Sequence, residues 1–152
     1  MPPPSQATSA QSVSDRLGSS IKAAEQVLVA AKSRALRPFG LTVPQYATLL
    51  AVHLTPDQSA AQLARSAMVA PQTMATIIGN LESKRLIRRE TSPLHRRVLI
   101  TRITAAGTSL VTEADAAAKA VEEELAGQFT PSEQVQLRQL LQRAIDHLLT
   151  KA

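Results

Sequence analysis

The stretch APQTMATIIGNLESKRLIRRE, Ala70 to Glu90, constrains this chain more than any other part of it. A helix opening at Pro71 turns 100° per residue, which puts Met74, Ile77, Ile78 and Leu81 on one side and Gln72, Thr76, Gly79 and Ser83 nearly opposite, with Thr73 and Asn80 on a flank. The first set anchors the helix in a core. The second is an outward face of small, neutral hydrogen-bonding groups with hardly a charge. Gly79 in an exposed helical interior costs about 1 kcal/mol against alanine, which a purely structural helix has no reason to tolerate but which lets a bulky surface approach. The helix then runs into Lys84, Arg85, Arg88 and Arg89.

What flanks this helix predicts its setting. Thr42 with Gln45, and Ser59 with Gln62, are capping boxes that start two helices. The first holds Tyr46, Leu49, Leu50 and His53; the second, shorter one holds Leu63 and Ala64. A brief turn over Ala67 to Val69 follows, and Pro71 sits at the first helical position of the next helix. Two short helices joined by a tight turn form a helix-turn-helix. Beyond it, Leu86 to Thr91 and Arg97 to Ile103 are rich in β-branched residues, and Ser92 to Arg96, with Pro93, supplies a bend. A two-stranded ribbon in that place is a wing.

The outer helices have a different character. From Arg16 to Leu36 the positions Leu17, Ile21, Ala24, Leu28, Ala31 and Ala35 recur at spacings of three and four, a narrow apolar seam. Thr104 caps a long helix carrying Leu110, Ala114, Ala117, Val121 and Leu125. In FTPSE, Thr130, Pro131 and Glu133 agree on a helix start, and the last helix shows Leu137, Leu140, Leu141, Ala144, Ile145, Leu148 and Leu149 along one broad face. Such seams suit packing between subunits, with Leu17, Ile21, Leu28, Leu137, Leu141 and Leu148 as dimerisation residues. The expected fold is mainly α (α+β), a winged helix-turn-helix with long terminal helices: an N-terminal disordered arm over 1–14, a helical dimerisation region over 15–40 and 104–152, and a DNA-binding domain over 41–103.

Charge and composition narrow the function. Lys and Arg outnumber Asp and Glu by 17 to 12 in 152 residues, giving a formal charge of +5. The excess is concentrated: Lys84, Arg85, Arg88, Arg89, Arg96, Arg97 and Arg102 face the single acid Glu90 over that stretch. Absence of cysteine removes disulfides, thiolate metal sites and thiol redox sensing. The three histidines, His53, His95 and His147, lie in different elements and predict no metal, and no cofactor motif is present. Without a glycine-rich phosphate loop, HExxH or a recognisable Ser, His, Asp arrangement, the chain does not read as an enzyme. MPPPSQATSAQSVS has no export signal and no later run reaches membrane length, so the expected location is cytoplasmic.

A neutral polar helix face suits the major groove of duplex DNA, where Gln or Asn bonds an adenine edge and Thr offers a hydroxyl and a methyl. Pro71, Gln72, Thr73, Thr76, Asn80 and Ser83 are the expected groove contacts. Lys84, Arg85, Arg88 and Arg89 are expected on phosphates, Arg96 and Arg97 at the adjacent minor groove, and His95 on phosphate in its protonated form. The rival reading, a winged helix that binds protein, predicts an apolar outward patch instead of this polar one. Single-strand binding is disfavoured because three aromatics, Phe39, Tyr46 and Phe129, make no stacking platform.

In GLTVPQYATLLAV, SAAQLARSAMVAPQTMATIIGNLESKRLIRRE and RRVLITRITAAG the chain resembles the MarR (multiple antibiotic resistance regulator) family of transcription factors. The resemblance covers roughly Arg16 to the C-terminus. It implies a two-fold homodimer with interlocked terminal helices, binding to a pseudo-palindrome, and an effector pocket for small aromatic acids between the dimerisation helices and the winged domain. Leu28, Tyr46 and Leu50 are the candidate lining residues. The sequence departs from the family's pattern at Thr76 and Asn80, where arginines are often displayed, and at Ser92 and His95, where family wings commonly carry aspartates that orient the wing by ion pairs. Ala70 also stands in place of the usual polar cap.

Overall fold

The computed structural model describes Val13 and residues 15–151; the arm expected over 1–14 falls outside these apart from Val13. The order is α1 (Leu17–Leu36), a 3-10 turn (Arg37–Phe39), α2 (Val43–Leu54), α3 (Ala60–Ala67), α4 (Pro71–Ser83), β1 (Ile87–Thr91), β2 (Leu99–Ile103), α5 (Ala105–Ala126) and α6 (Pro131–Leu149).

The starts are set by side chains that satisfy orphan backbone donors. Thr42 Oγ1 accepts from the Gln45 amide while Gln45 Oε1 accepts from Thr42, and Ser59 with Gln62 and Thr130 with Glu133 do the same. At α4 the cap Ala70 makes no side-chain bond, and Pro71 alone fits the first turn. Met68 closes α3 in the left-handed region, φ 53°, and so makes the tight corner between α3 and α4.

The core gathers Leu36, Leu49, Val52, Leu63, Met74, Ile78, Leu81, Ile87 and Val111 from α1 through α5. On α5 the buried positions are Gly107, Val111, Ala114 and Ala118. Of the face predicted through Leu110, Ala114, Ala117, Val121 and Leu125, Ala114 is buried, while Leu110, Ala117 and Val121 are half-buried and Leu125 is exposed, so the buried face is rotated about Ala114. Gly107 explains the rotation. A Cβ there would overlap the Leu86 carbonyl oxygen and lie 2.8 Å from Ile103 Cγ1, so the helix start lies directly on the end of the wing, and only glycine permits it. Thr104 completes this joint, donating from Oγ1 to the Leu86 carbonyl at 3.0 Å and accepting from the Gly107 amide at 3.0 Å.

The strands pair antiparallel from Ile87 with Ile103 to Thr91 with Leu99, and Gln58 adds one bridge on the far edge of β2, opposite Thr101. Both begin later than the sequence predicts. The Leu86 amide is taken by the Leu81 carbonyl in the last turn of α4, and the Val98 amide by His95, so Leu86 closes the turn that follows α4 and Arg97 and Val98 belong to the wing turn. No residue of α6 is buried, and on α1 only Leu36 is. Leu17, Ile21, Leu137, Leu141 and Leu148 are all exposed, with Leu28 half-buried. Among the described residues no helix is long and apolar enough to cross a membrane.

Candidate nucleic-acid interface

Helix α4 divides as its sequence predicts. Met74, Ile77, Ile78 and Leu81 are buried, while Pro71, Gln72, Thr73, Thr76, Gly79, Asn80 and Ser83 are exposed. Thr76 Oγ1 donates to the Gln72 carbonyl at 3.2 Å and Ser83 Oγ to the Asn80 carbonyl at 2.8 Å. With their protons engaged on their own helix, both hydroxyl oxygens face outward as acceptors. The side-chain amides of Gln72 and Asn80 make no hydrogen bond among the described residues, so both retain a donor and an acceptor for a base edge. A Cβ on Gly79 would meet nothing within 4 Å, so no packing inside the fold requires glycine there.

The cations fall into two groups that the sequence does not separate. Arg89 donates to Glu82 Oε2 at 2.7 Å, Arg88 pairs with Glu90, and Arg102 Nε lies 2.9 Å from Asp57 Oδ1 and 3.3 Å from Glu90 Oε2. Arg88 and Arg89, expected on phosphates, thus each have an acidic partner within the fold while staying exposed. Exposed pairs of this kind contribute about 0–1 kcal/mol each, so they orient and neutralise more than they stabilise. Glu82 is held below the ordinary carboxylate range, first by the hydrogen bond from Arg89. The Arg102 Nε is enclosed without an aligned hydrogen bond, a charge contact between two carboxylates.

Lys84 has no acidic partner, yet its Nζ donates to the Gly40 carbonyl at 2.6 Å and to Gln45 Oε1 at 3.2 Å, which directs it toward the start of α2. Arg85, at φ 58°, forms the corner between α4 and β1. Arg85, Arg96 and Arg97 stand in no ion pair among the described residues and are exposed. Within the basic stretch from Lys84 to Arg102 they are the cations that neither an ion pair nor a side-chain hydrogen bond holds among the described residues.

The wing tip is ordered by a serine in place of ion pairs. Ser92 is buried, and its Oγ accepts from the amides of Leu94 and His95, both at 3.2 Å; its own amide donates to Val98. The serine thus holds the turn through backbone amides and not through an ion pair. His95 is exposed beside Arg96 and Arg97.

The three residues suggested for a ligand pocket are scattered in role. Tyr46 is buried in the core and donates to Asp115 Oδ1 at 2.8 Å, Leu50 packs against that core, and Leu28 is half-buried on α1. Burial, followed by the bond to Asp115, pushes the Tyr46 phenol up; hydrogen bonds from Lys119 and then Tyr46 hold Asp115 down. None of the three lines the cleft of about 370 Å³ that opens between Ser33, Arg37, Gly40, Leu41, Thr42, Gln45 and Lys84. Ser33, Arg37 and the acids Asp57 and Glu82 have no signal in the sequence, because their significance comes from neighbours that the fold brings to them.

A helix-turn-helix whose second helix displays neutral donors and acceptors, followed at once by a cation-tipped ribbon, is a winged helix-turn-helix. A profile of the MarR family matches residues 39–98. The HTH-type transcriptional repressor Rv2887 of Mycobacterium tuberculosis is 33% identical over 111 residues, spanning 73% of this chain and 80% of that one. Its structure, solved with p-aminosalicylic acid, superposes at a TM-score of 0.66 with 31% identity, over 85% of this chain and 98% of that one. A probable transcriptional regulator from Pseudomonas aeruginosa gives a TM-score of 0.80 at 26% identity, over 87% and 98%. The S. aureus MepR–DNA complex gives 0.82 at 19% identity, over 87% and 98%, a likeness of fold. The chain belongs to the MarR family.

Proposed function

We propose that this chain is a sequence-specific regulator of transcription, a repressor that binds a pseudo-palindromic operator in double-stranded DNA as a homodimer in the cytoplasm and is released by a small-molecule effector. The observation that carries the reading is the pairing of an exposed, uncharged donor and acceptor face on α4 with the unpaired cations Arg85, Arg96 and Arg97 beside it. The first gives base readout, the second affinity without sequence information. The outward face of α4 has no apolar patch, which counts against a protein-binding winged helix.

The homodimer rests on α1 and α6. Leu17 is 83% exposed and Leu148 64%, and an entire helix of 19 residues without a buried side chain is not stable alone in water. A second copy covering both seams removes that cost and places two α4 helices one helical turn, about 34 Å, apart. The region over 15–40 and 104–152 accordingly serves dimerisation and 41–103 DNA binding.

For the effector, the cleft beside Lys84 suits a small aromatic acid, the class represented by p-aminosalicylic acid in the relative's structure. Arg37 and Lys84 supply positive charge, and Ser33 and Thr42 supply hydroxyls, where the last turn of α1 meets the end of α4. A carboxylate that draws Lys84 off the Gly40 carbonyl alters how the end of α4 is held against the start of α2. The test is a gel shift on duplexes recovered from genomic fragments, with p-aminosalicylate added. Release of wild type but not of Arg37→Ala supports the cleft, equal release of both rejects it, and no retardation of any fragment rejects the function.

A further inference from the structure

Leu94, at the tip of the wing, is 85% exposed, more than any other large apolar side chain among the described residues. A single exposed leucine is ordinary. This one is set apart by its surroundings. Val98 and Leu99 are also exposed and close to it in the chain, at 39% and 53%, so this strip of chain carries three exposed apolar side chains. The strip lies beside Arg96 and Arg97, neither of which is ion-paired among the described residues.

The tip is also tied by hydrogen bonds. The Leu94 and His95 amides both donate to the buried Ser92 Oγ, the Ser92 amide donates to the Val98 carbonyl at 2.8 Å, and the Val98 amide to His95 at 2.9 Å. Pro93 fixes the backbone just before Leu94. Leu94 is thus an apolar side chain on a hydrogen-bonded turn, with unpaired guanidinium groups beside it. It matches the minor groove, whose negative potential holds arginine and whose base steps admit an apolar wedge.

We propose that Leu94 enters the minor groove at the outer edge of each half-site, partly unstacks one base step and bends the duplex, and thereby selects easily deformed steps there. The proposal rests on the DNA-binding reading above. Pyrimidine–purine steps, TA and CA, unstack most readily, so sequence preference extends to a position that no polar side chain of α4 reads.

The test uses the full chain and duplexes recovered by in vitro selection, with a TA step placed in turn at each position flanking the site. Permanganate, which oxidises unstacked thymine, maps the wedge, and circularly permuted fragments report the bend. With wild type, one flanking thymine on each side becomes hyper-reactive and the duplex bends. With Leu94→Ala both signals vanish, affinity falls about tenfold, and a fresh selection no longer enriches TA or CA at the flank. Leu94→Phe keeps all three. Because Leu94 is exposed, both variants melt as wild type does, which circular dichroism checks.

Wild-type complexes that are unbent with protected thymines, or Leu94→Ala complexes that keep both signals, overturn the wedge while leaving DNA binding standing. Absence of binding to any duplex overturns both. Leu94-dependent binding to vesicles of anionic phospholipid, with no effect on duplex, assigns the tip to a membrane surface and likewise overturns the proposal.

Discussion

Arg89 of β1 donates to Oε2 of Glu82 at 2.7 Å, latching the wing to the last turn of the helix that precedes it. One cation of the basic stretch is therefore spent inside the fold, and Arg88 and Arg102 are spent likewise on Glu90 and Asp57. Fewer phosphate contacts than positive side chains are therefore expected. Arg97→Ala should weaken binding to all duplexes and lower the salt slope by about 1, and Arg96→Ala the same, whereas Arg88→Gln should leave the slope nearly unchanged. Binding isotherms at several salt concentrations check this; equal slopes for all three variants contradict it.

Gly79 and Gly107 should respond in opposite ways to alanine. At Gly79 the new methyl meets open space, so the helix gains about 1 kcal/mol of stability, while the duplex loses its close approach and binding weakens. At Gly107 the methyl collides with the Leu86 backbone, costing about 1–3 kcal/mol. Thermal melts of the two variants, with gel shifts, give the comparison.

Acid should loosen the fold at two named carboxylates. Glu82 and Asp115 are both held below their ordinary values in the folded chain, chiefly by Arg89 and by Lys119 with Tyr46. The unfolded chain therefore takes up protons first as pH falls. Their contribution is complete above the ordinary carboxylate range, near about pH 4, and is lost as pH drops through the folded values. Melting temperatures between about pH 5 and pH 3 should fall less steeply for Glu82→Gln and Asp115→Asn than for wild type. Parallel profiles would show the pairs to be energetically idle. At neutral pH, Tyr46→Phe should cost about 1 kcal/mol through the lost bond to Asp115.

Much of this architecture is legible in the sequence because it is local. The boxes at Thr42 and Gln45, Ser59 and Gln62, and Thr130 and Glu133 each form as spaced, and the two faces of α4 follow from helical periodicity alone. What is not legible depends on partners far along the chain. Tyr46 meets Asp115 across 69 residues, and Lys84 reaches Gly40 across 44. The strands begin late because the amides of Leu86 and Val98 are claimed by carbonyls outside the sheet, a competition that β propensity does not register. The buried face of α5 is rotated because Gly107 fixes its approach to Leu86.

The dimer can be broken without touching the winged domain. Leu141→Glu with Leu148→Glu places two charges on the exposed seam of α6. Sedimentation should show a monomer or an aggregate that no longer retards the duplex. A well-behaved dimer with both substitutions would place the interface elsewhere.

The central claim is that α4 reads sequence while the wing cations supply only affinity, and competition between a selected duplex and a random one tests it most directly. Wild type should prefer the selected duplex by at least about a thousandfold at physiological salt. Gln72→Ala and Thr76→Ala should each erode that ratio about tenfold or more, while Arg97→Ala lowers both affinities and keeps it. Equal losses on both duplexes for all three variants would contradict the account.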